Sequence, residues 1–249
     1  MTNPTIDEIT QHWLLTSAIN FPRVLGALFP EVDGVSLNMK NVPGLRSEDY
    51  ADALLALYDS GKIEFSSEIP EDNVETRPGI SKILDSYLKV SKVDRSVILR
   101  RRPNLDLSAK QPVHRHRKAV RFKLTALGGD AWERIAEPDW FNFFDQRYDL
   151  ETGEAYSQNL TLLLAHLGWF NELGGARIDI NTIDLQTHSE FQVLYWKKLP
   201  NVCRATFNLE NAEPRWLSGR IGEPKWFRDW WDSTNHWYTE PWSLPGWPG

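Results

Sequence analysis

The sequence predicts an α+β fold in two parts, an N-terminal domain over residues 1–137 and a small α+β domain over 138–249 that ends in an aromatic-rich tail. Three observations lead there. Apolar residues recur at helical spacing through the first sixty positions and then give way to two short alternating runs, so that helices and strands are grouped instead of strictly alternating. At Pro138 the chain changes character, passing through Asp139-Trp140-Phe141-Asn142-Phe143-Phe144 into a helical run and then alternating ones. Seven of the twelve tryptophans lie from Trp216 onward, which sets the end of the chain apart.

Each element has a local cause. Thr5 with Glu8 three residues on has capping-box spacing, and Ile6, Ile9, Trp13 and Leu14 share one face of a helix running to about Ile19. Arg23 to Phe29, between Pro22 and Pro30, reads as a short second helix with Val24, Leu25 and Leu28 inward. A third helix opens with Ser47 as N-cap. Glu48 and Asp49 favour its positive end, Tyr50, Leu54 and Leu57 form its stripe, and Gly61 ends it. Lys62 to Ser66 alternates as a strand should, a helix is expected from Ile80 to Val90, and Val120 to Leu124 is a second strand, with Thr125 capping a helix through Ile135. Beyond Pro138, Ala155 to Phe170 reads as a buried helix ended by Gly168. Arg177–Ile180, Phe191–Lys197 and Val202–Leu209 read as strands, the last two joined at Leu199-Pro200-Asn201.

Two phrases carry a family resemblance. Leu54-Leu55-Ala56-Leu57-Tyr58-Asp59-Ser60-Gly61-Lys62-Ile63 resembles the end of the third helix and first wing strand of winged-helix proteins. Arg121-Phe122-Lys123-Leu124-Thr125-Ala126-Leu127-Gly128-Gly129 resembles the strand-to-helix phrase that follows the wing in bacterial MarR/PadR-like regulators. The resemblance covers about residues 5–137 and implies a winged-helix-like N-terminal domain. Two departures accompany it. The segment between the strands, about 67–119, is far longer than an ordinary wing loop. The third helix, which in DNA-reading members presents basic and amide side chains to the major groove, here carries Glu48, Asp49, Asp52 and Asp59, with Arg46 the nearest cation. Such a helix meets phosphates with like charge.

Charge is unevenly spread. The chain has net charge −6, yet residues 100–123 hold nine basic groups and one acidic. That basic segment, with Arg101, Arg102, Arg115, Arg117 and Lys118, reads either as a wing tracking a phosphate backbone or as a solvated arm pairing with acidic faces of the same protein. His114 and His116 flank Arg115 without an adjacent carboxylate or thiol, so no metal is expected there. No phosphate-loop, dinucleotide or catalytic-elbow pattern is present, so neither a catalytic residue nor a cofactor is expected. Cys203 is the one cysteine, which excludes an intramolecular disulfide and agrees with a reducing, cytoplasmic compartment. The longest uncharged apolar run, Leu160 to Phe170, is too short to span a bilayer, and no secretory signal opens the chain.

The tryptophan-rich end, Trp216, Trp226, Trp230, Trp231, Trp237, Trp242 and Trp247, has three readings: a clip across the body, a partner interface, or a sugar-stacking surface. Together these features predict a non-catalytic protein-interaction module, in character an immunity- or antitoxin-type inhibitor or an adaptor, with Glu48, Asp49, Asp52, Trp230, Trp231 and Trp237 meeting a basic partner such as a toxin or nuclease. The alternative is a winged-helix DNA-binding regulator that uses residues 100–123.

Overall fold

The computed structural model describes residues 6–29, 45–98, 120–149, 151–172, 177–210, 237–245 and 247. The chain divides into two compact units, Met1–Ala136 with Glu240–Gly249, and Glu137–Thr239. Both combine helices with antiparallel sheet, so the α+β class holds. Among the described residues no helix is long and apolar enough to cross a membrane.

The first unit opens with α1 (Glu8–Ser17), whose N-cap is Asp7 and not Thr5: the Asp7 carboxylate accepts from the Thr10 backbone N–H at 2.8 Å. Arg23–Val24 is a two-residue strand, β1, followed by a 3₁₀ turn at Leu25–Leu28 where a second α-helix was expected. Seven residues between two prolines are too few for a stable α-helix, and the first two pair with a neighbouring strand instead. Helix α2 (Ser47–Asp59) has Arg46, one residue earlier than expected, at its N-cap. Gly61 follows with φ 69, the left-handed conformation that ends helices. Then come β2 (Ile63–Ser67), a long α3 (Arg77–Ile98), β3 (Val120–Leu124) and α4 (Ala126–Ala136). The sheet order is β1-β3-β2, antiparallel throughout, with Ile63 opposite Leu124 and Ser67 opposite Val120.

Alternation in β2 and β3 sends Ile63, Phe65, Val120, Phe122 and Leu124 into a core shared with Trp13, Leu14, Leu54, Leu57 and Trp132, all buried. Helix α3 adds Ile80, Leu84 and Tyr87, spaced i, i+4, i+7 on one face. Its Tyr87 ring lies 5.6 Å from Phe29. Two buried polar side chains of α1 find partners: the Trp132 indole N–H donates to Thr16 Oγ1 at 2.9 Å, and Ser17 Oγ donates to the Leu14 carbonyl at 2.6 Å. Near the chain end, a 3₁₀ turn at Pro241–Ser243 packs on α1 and buries Pro241.

The second unit is a four-stranded antiparallel sheet, order β4-β5-β7-β6, formed by β4 (Phe144–Tyr148), β5 (Thr152–Ser157), β6 (Arg177–Leu194) and β7 (Lys197–Glu210), with helix α5 (Leu160–Glu172) on one face. The helix expected from Ala155 starts later, because Ala155 and Tyr156 belong to β5 and Asn159 caps α5 by accepting from Leu162 N–H at 3.1 Å. Strands β4 and β5 were not anticipated. Nor is α5 wholly buried: Leu163 and Leu167 pack with Ala155, Ile178, Ala205 and Phe207, while Leu160 and Leu164 face outward. The β6–β7 turn falls at Tyr195-Trp196, and Leu199-Pro200-Asn201 lies inside β7, where Asn201 carries the left-handed φ of 51. Beyond the end of β5 this stretch of β7 has one strand neighbour, β6, a position where proline is tolerated.

Two close fits generate predictions. A Cβ on Gly128 would land on the Lys62 carbonyl oxygen, a backbone atom that cannot swing aside. Gly128→Ala should therefore cost about 1–3 kcal/mol, read as a lowered denaturation midpoint. In the second unit His166 is buried, its ring 3.9 Å from Phe144 and its Nε2 2.7 Å from Gln146 Oε1. Burial pushes its pKa down to about 4. The unfolded chain then holds the extra proton between about pH 6.5 and 4, so this contribution to stability is complete above pH 6.5 and declines as pH falls toward 4. His166→Phe should flatten that part of the stability–pH curve, which denaturant melts at several pH values will show.

Candidate interaction surface

The carboxylates singled out in the sequence sit along α2. In its first turn the Asp49 carboxylate accepts from the Arg46 backbone N–H at 2.8 Å and from the Arg46 guanidinium at 3.2 and 3.1 Å, closing the helix start. These bonds hold the Asp49 carboxyl below its ordinary range. Glu48 and Asp49 are half-buried, Asp52 is exposed, and Asp59, also exposed, is gripped by Arg77 Nε at 2.9 Å. The same end of α2 is flanked by the chain leading into α3, since the Tyr58 hydroxyl donates to the Glu75 carbonyl at 3.0 Å. Along the outward side of β2 and β3 the cations are also matched: Lys123 meets Glu64 at 2.8 Å and Arg121 meets Glu68 at 3.2 Å.

Each of these pairs lies largely in solvent and adds little stability. Their effect is on the surface potential. Arg46, Arg77, Arg121 and Lys123 each face a neighbouring carboxylate, Glu48 adds to the negative charge that Arg46 meets, and Asp52 is exposed on the first half of α2.

Of the other predicted contact residues, Trp237 is buried, its ring 4.9 Å from Trp140 and 4.7 Å edge-on to Phe143, and its carbonyl accepts from Asp139 N–H at 2.6 Å. It therefore packs inside the second unit. Trp230, Trp231, Arg101, Arg102, Arg115, Arg117 and Lys118 lie outside the described residues. Cys203, half-buried, packs beside the α5-side core with Sγ 3.9 Å from Thr187 Oγ1.

A polar ladder that sequence reading missed crosses the sheet face opposite α5. Arg204 donates to Glu154 Oε2 at 2.9 and 2.6 Å, and Arg147 donates to the Tyr156 hydroxyl at 3.0 Å. That hydroxyl lies 2.6 Å from Asp145 Oδ2 and 3.1 Å from the Val193 carbonyl. Tyr156 is fully buried, and burial together with the Asp145 charge pushes its phenol well above the ordinary range. It is a structural hydroxyl that stays protonated, and the ladder's charges cancel on site. The available signal was the alternation of Asp145 with Arg147 and of Glu154 with Tyr156, which identifies one face only once the strands are known.

No protein-family model, curated protein or solved structure matches this chain.

Replacing Tyr156 with Phe leaves the Val193 carbonyl and the Asp145 carboxylate without this donor, at a cost of about 1–3 kcal/mol. Chemical denaturation should show the loss, with helix content unchanged by circular dichroism.

Proposed function

We propose that this chain is a protein-binding module whose first unit is winged-helix-like and whose α2 presents carboxylates to a basic protein partner. The observation that carries this is the run of carboxylates along α2, Glu48, Asp49, Asp52 and Asp59, of which Asp52 is exposed, while among the described residues the flanking cations Arg46 and Arg77 are held by Asp49 and Asp59. A winged-helix reading of the first unit is supported by the strand order β1-β3-β2, by α1 and α2 preceding β2, and by Thr125 opening α4 directly after β3. A groove-reading helix needs an approachable basic face. Here α3 packs beside α2, and the cations on β2 and β3 are already engaged, so a phosphate backbone would have to break those pairs to gain contacts.

Carboxylates steer a cationic protein toward its docking position and suppress the approach of polyanions. That behaviour suits an inhibitor or adaptor, including an immunity- or antitoxin-type protein that occupies the basic surface of a toxin or nuclease. A single cysteine in the chain is in keeping with action in the cytoplasm.

The test uses a Glu48→Lys, Asp52→Lys double variant. A basic protein retained by the immobilised parent chain from its native lysate should bind the variant about tenfold more weakly or worse, a loss of about 1.4 kcal/mol or more, with the thermal melt unchanged. Random duplex DNA should not bind the parent at low salt. Duplex binding that survives in the variant and falls steeply with salt would replace this reading with the DNA-binding one.

A further inference from the structure

Arg23 lies at an edge of the first sheet, in β1, opposite the fully buried Phe122 of β3. Paired residues of an antiparallel ladder project to the same side, so the Arg23 side chain leaves the strand on the core side. Its Nε is shut off from solvent and has no hydrogen-bond partner. No carboxylate among the described residues pairs with the guanidinium, in contrast to Arg46, Arg77, Arg121 and Arg204. Burial without compensation pushes its pKa down. Beside it, the Phe21 ring sits 5.6 Å from the guanidinium carbon and is 54 % exposed.

A half-buried guanidinium with one shielded N–H left without an acceptor works against folding. An arginine held in that state next to an exposed aromatic ring is the pairing that dominates protein interfaces, where guanidinium and ring are both enriched. We propose that Phe21 and Arg23 form a receptor for a carboxylate carried by an extended acidic segment of a protein partner. The segment lies along the edge of β1. Its carboxylate takes the charge-assisted bonds of the terminal Nη groups, and its apolar neighbour covers the Phe21 ring. Charge complementarity selects the occupant: the guanidinium is cationic and forked, and a carboxylate matches that fork. This site is independent of the acidic face of α2, and its test leaves Glu48 and Asp52 untouched.

The experiment follows the Arg23 Nε–H resonance of the full chain, which its shielding from solvent makes observable, during titration with sodium acetate, inorganic phosphate and sodium chloride at matched ionic strength. Acetate should give a saturable shift that chloride does not. Arg23→Met should raise the melting temperature by about 2–4 °C, because an uncompensated charge is gone, and should abolish the extra stabilisation that acetate gives the parent over chloride. A saturable response to phosphate alone would overturn the carboxylate assignment in favour of a phosphate ester. An Arg23→Met variant that melts below the parent would show a structural guanidinium and end the proposal. So would self-association of that variant with no acetate response in the parent, since the inward charge would then serve only to protect the sheet edge.

Discussion

The first unit depends on one joint, where the start of β2 meets the start of α4. The Lys62 carbonyl accepts from Thr125 N–H at 3.0 Å, the Thr125 hydroxyl donates to the Gly61 carbonyl at 2.6 Å, and Gly128 is the residue small enough to let α4 pass that carbonyl. From this point the pairing of Ile63–Ser67 with Val120–Leu124 follows, and with it the closure of the excursion over residues 68–119 at its base. Loop-closure entropy grows only slowly with length, so a short, well-bonded joint can hold a long insertion. The joint also fixes what the insertion can do. Because α3 leaves from β2 beside the end of α2, Arg77 reaches Asp59 and Glu75 reaches Tyr58. Helix α3 is thus a flank to α2.

That placement gives the charges a meaning composition alone lacks. A net charge of −6 over 249 residues is modest. What matters is where the charges sit: among the described residues the cations flanking α2, Arg46 and Arg77, are paired with Asp49 and Asp59, while Asp52 is exposed. In the second unit Glu154 with Arg204 and Asp145 with Arg147 cancel within the ladder. Paired charge in the second unit lies across a sheet face, whereas on α2 the acidic residues follow one another along the first turns of a helix.

Legibility in the sequence followed the locality of the causes. Helix α2, Gly61, strands β2 and β3 and the start of α4 were readable, because a stripe, a glycine and a capping threonine each act within a few residues. The strands β4 and β5 were not, since Phe144–Tyr148 and Thr152–Ser157 are short, half polar, and stabilised chiefly by pairing with each other and with β7. Their turn was written in Asp149, whose carboxylate accepts from Glu151 and Thr152 at 2.8 and 2.7 Å, but an Asx turn announces a reversal without saying what it joins. Pro200 misled for the converse reason: a turn residue by propensity, it sits in a strand at a place where the sheet asks little of its nitrogen. At the candidate site, Glu48, Asp49 and Asp52 could be placed on one helix from spacing alone. The pairing of Asp59 with Arg77 could not, because eighteen positions separate them and the intervening chain had to fold first.

Trp237 shows how aromatic richness divides between burial and display. Its ring is enclosed by Trp140, Phe143 and Tyr238, so the apolar area it carries stabilises the second unit itself. Arg23 stands on the other side of that division. Several buried polar atoms among the described residues are provided for, as Thr16 is by Trp132 and Ser157 by the Phe143 carbonyl. His188 Nε2 also lacks a partner, its ring 5.2 Å from that of Phe191. A guanidinium stays charged at any ordinary pH. At a sheet edge, with no carboxylate partner among the described residues and an exposed ring beside it, Arg23 is the group that the proposed carboxylate would complete.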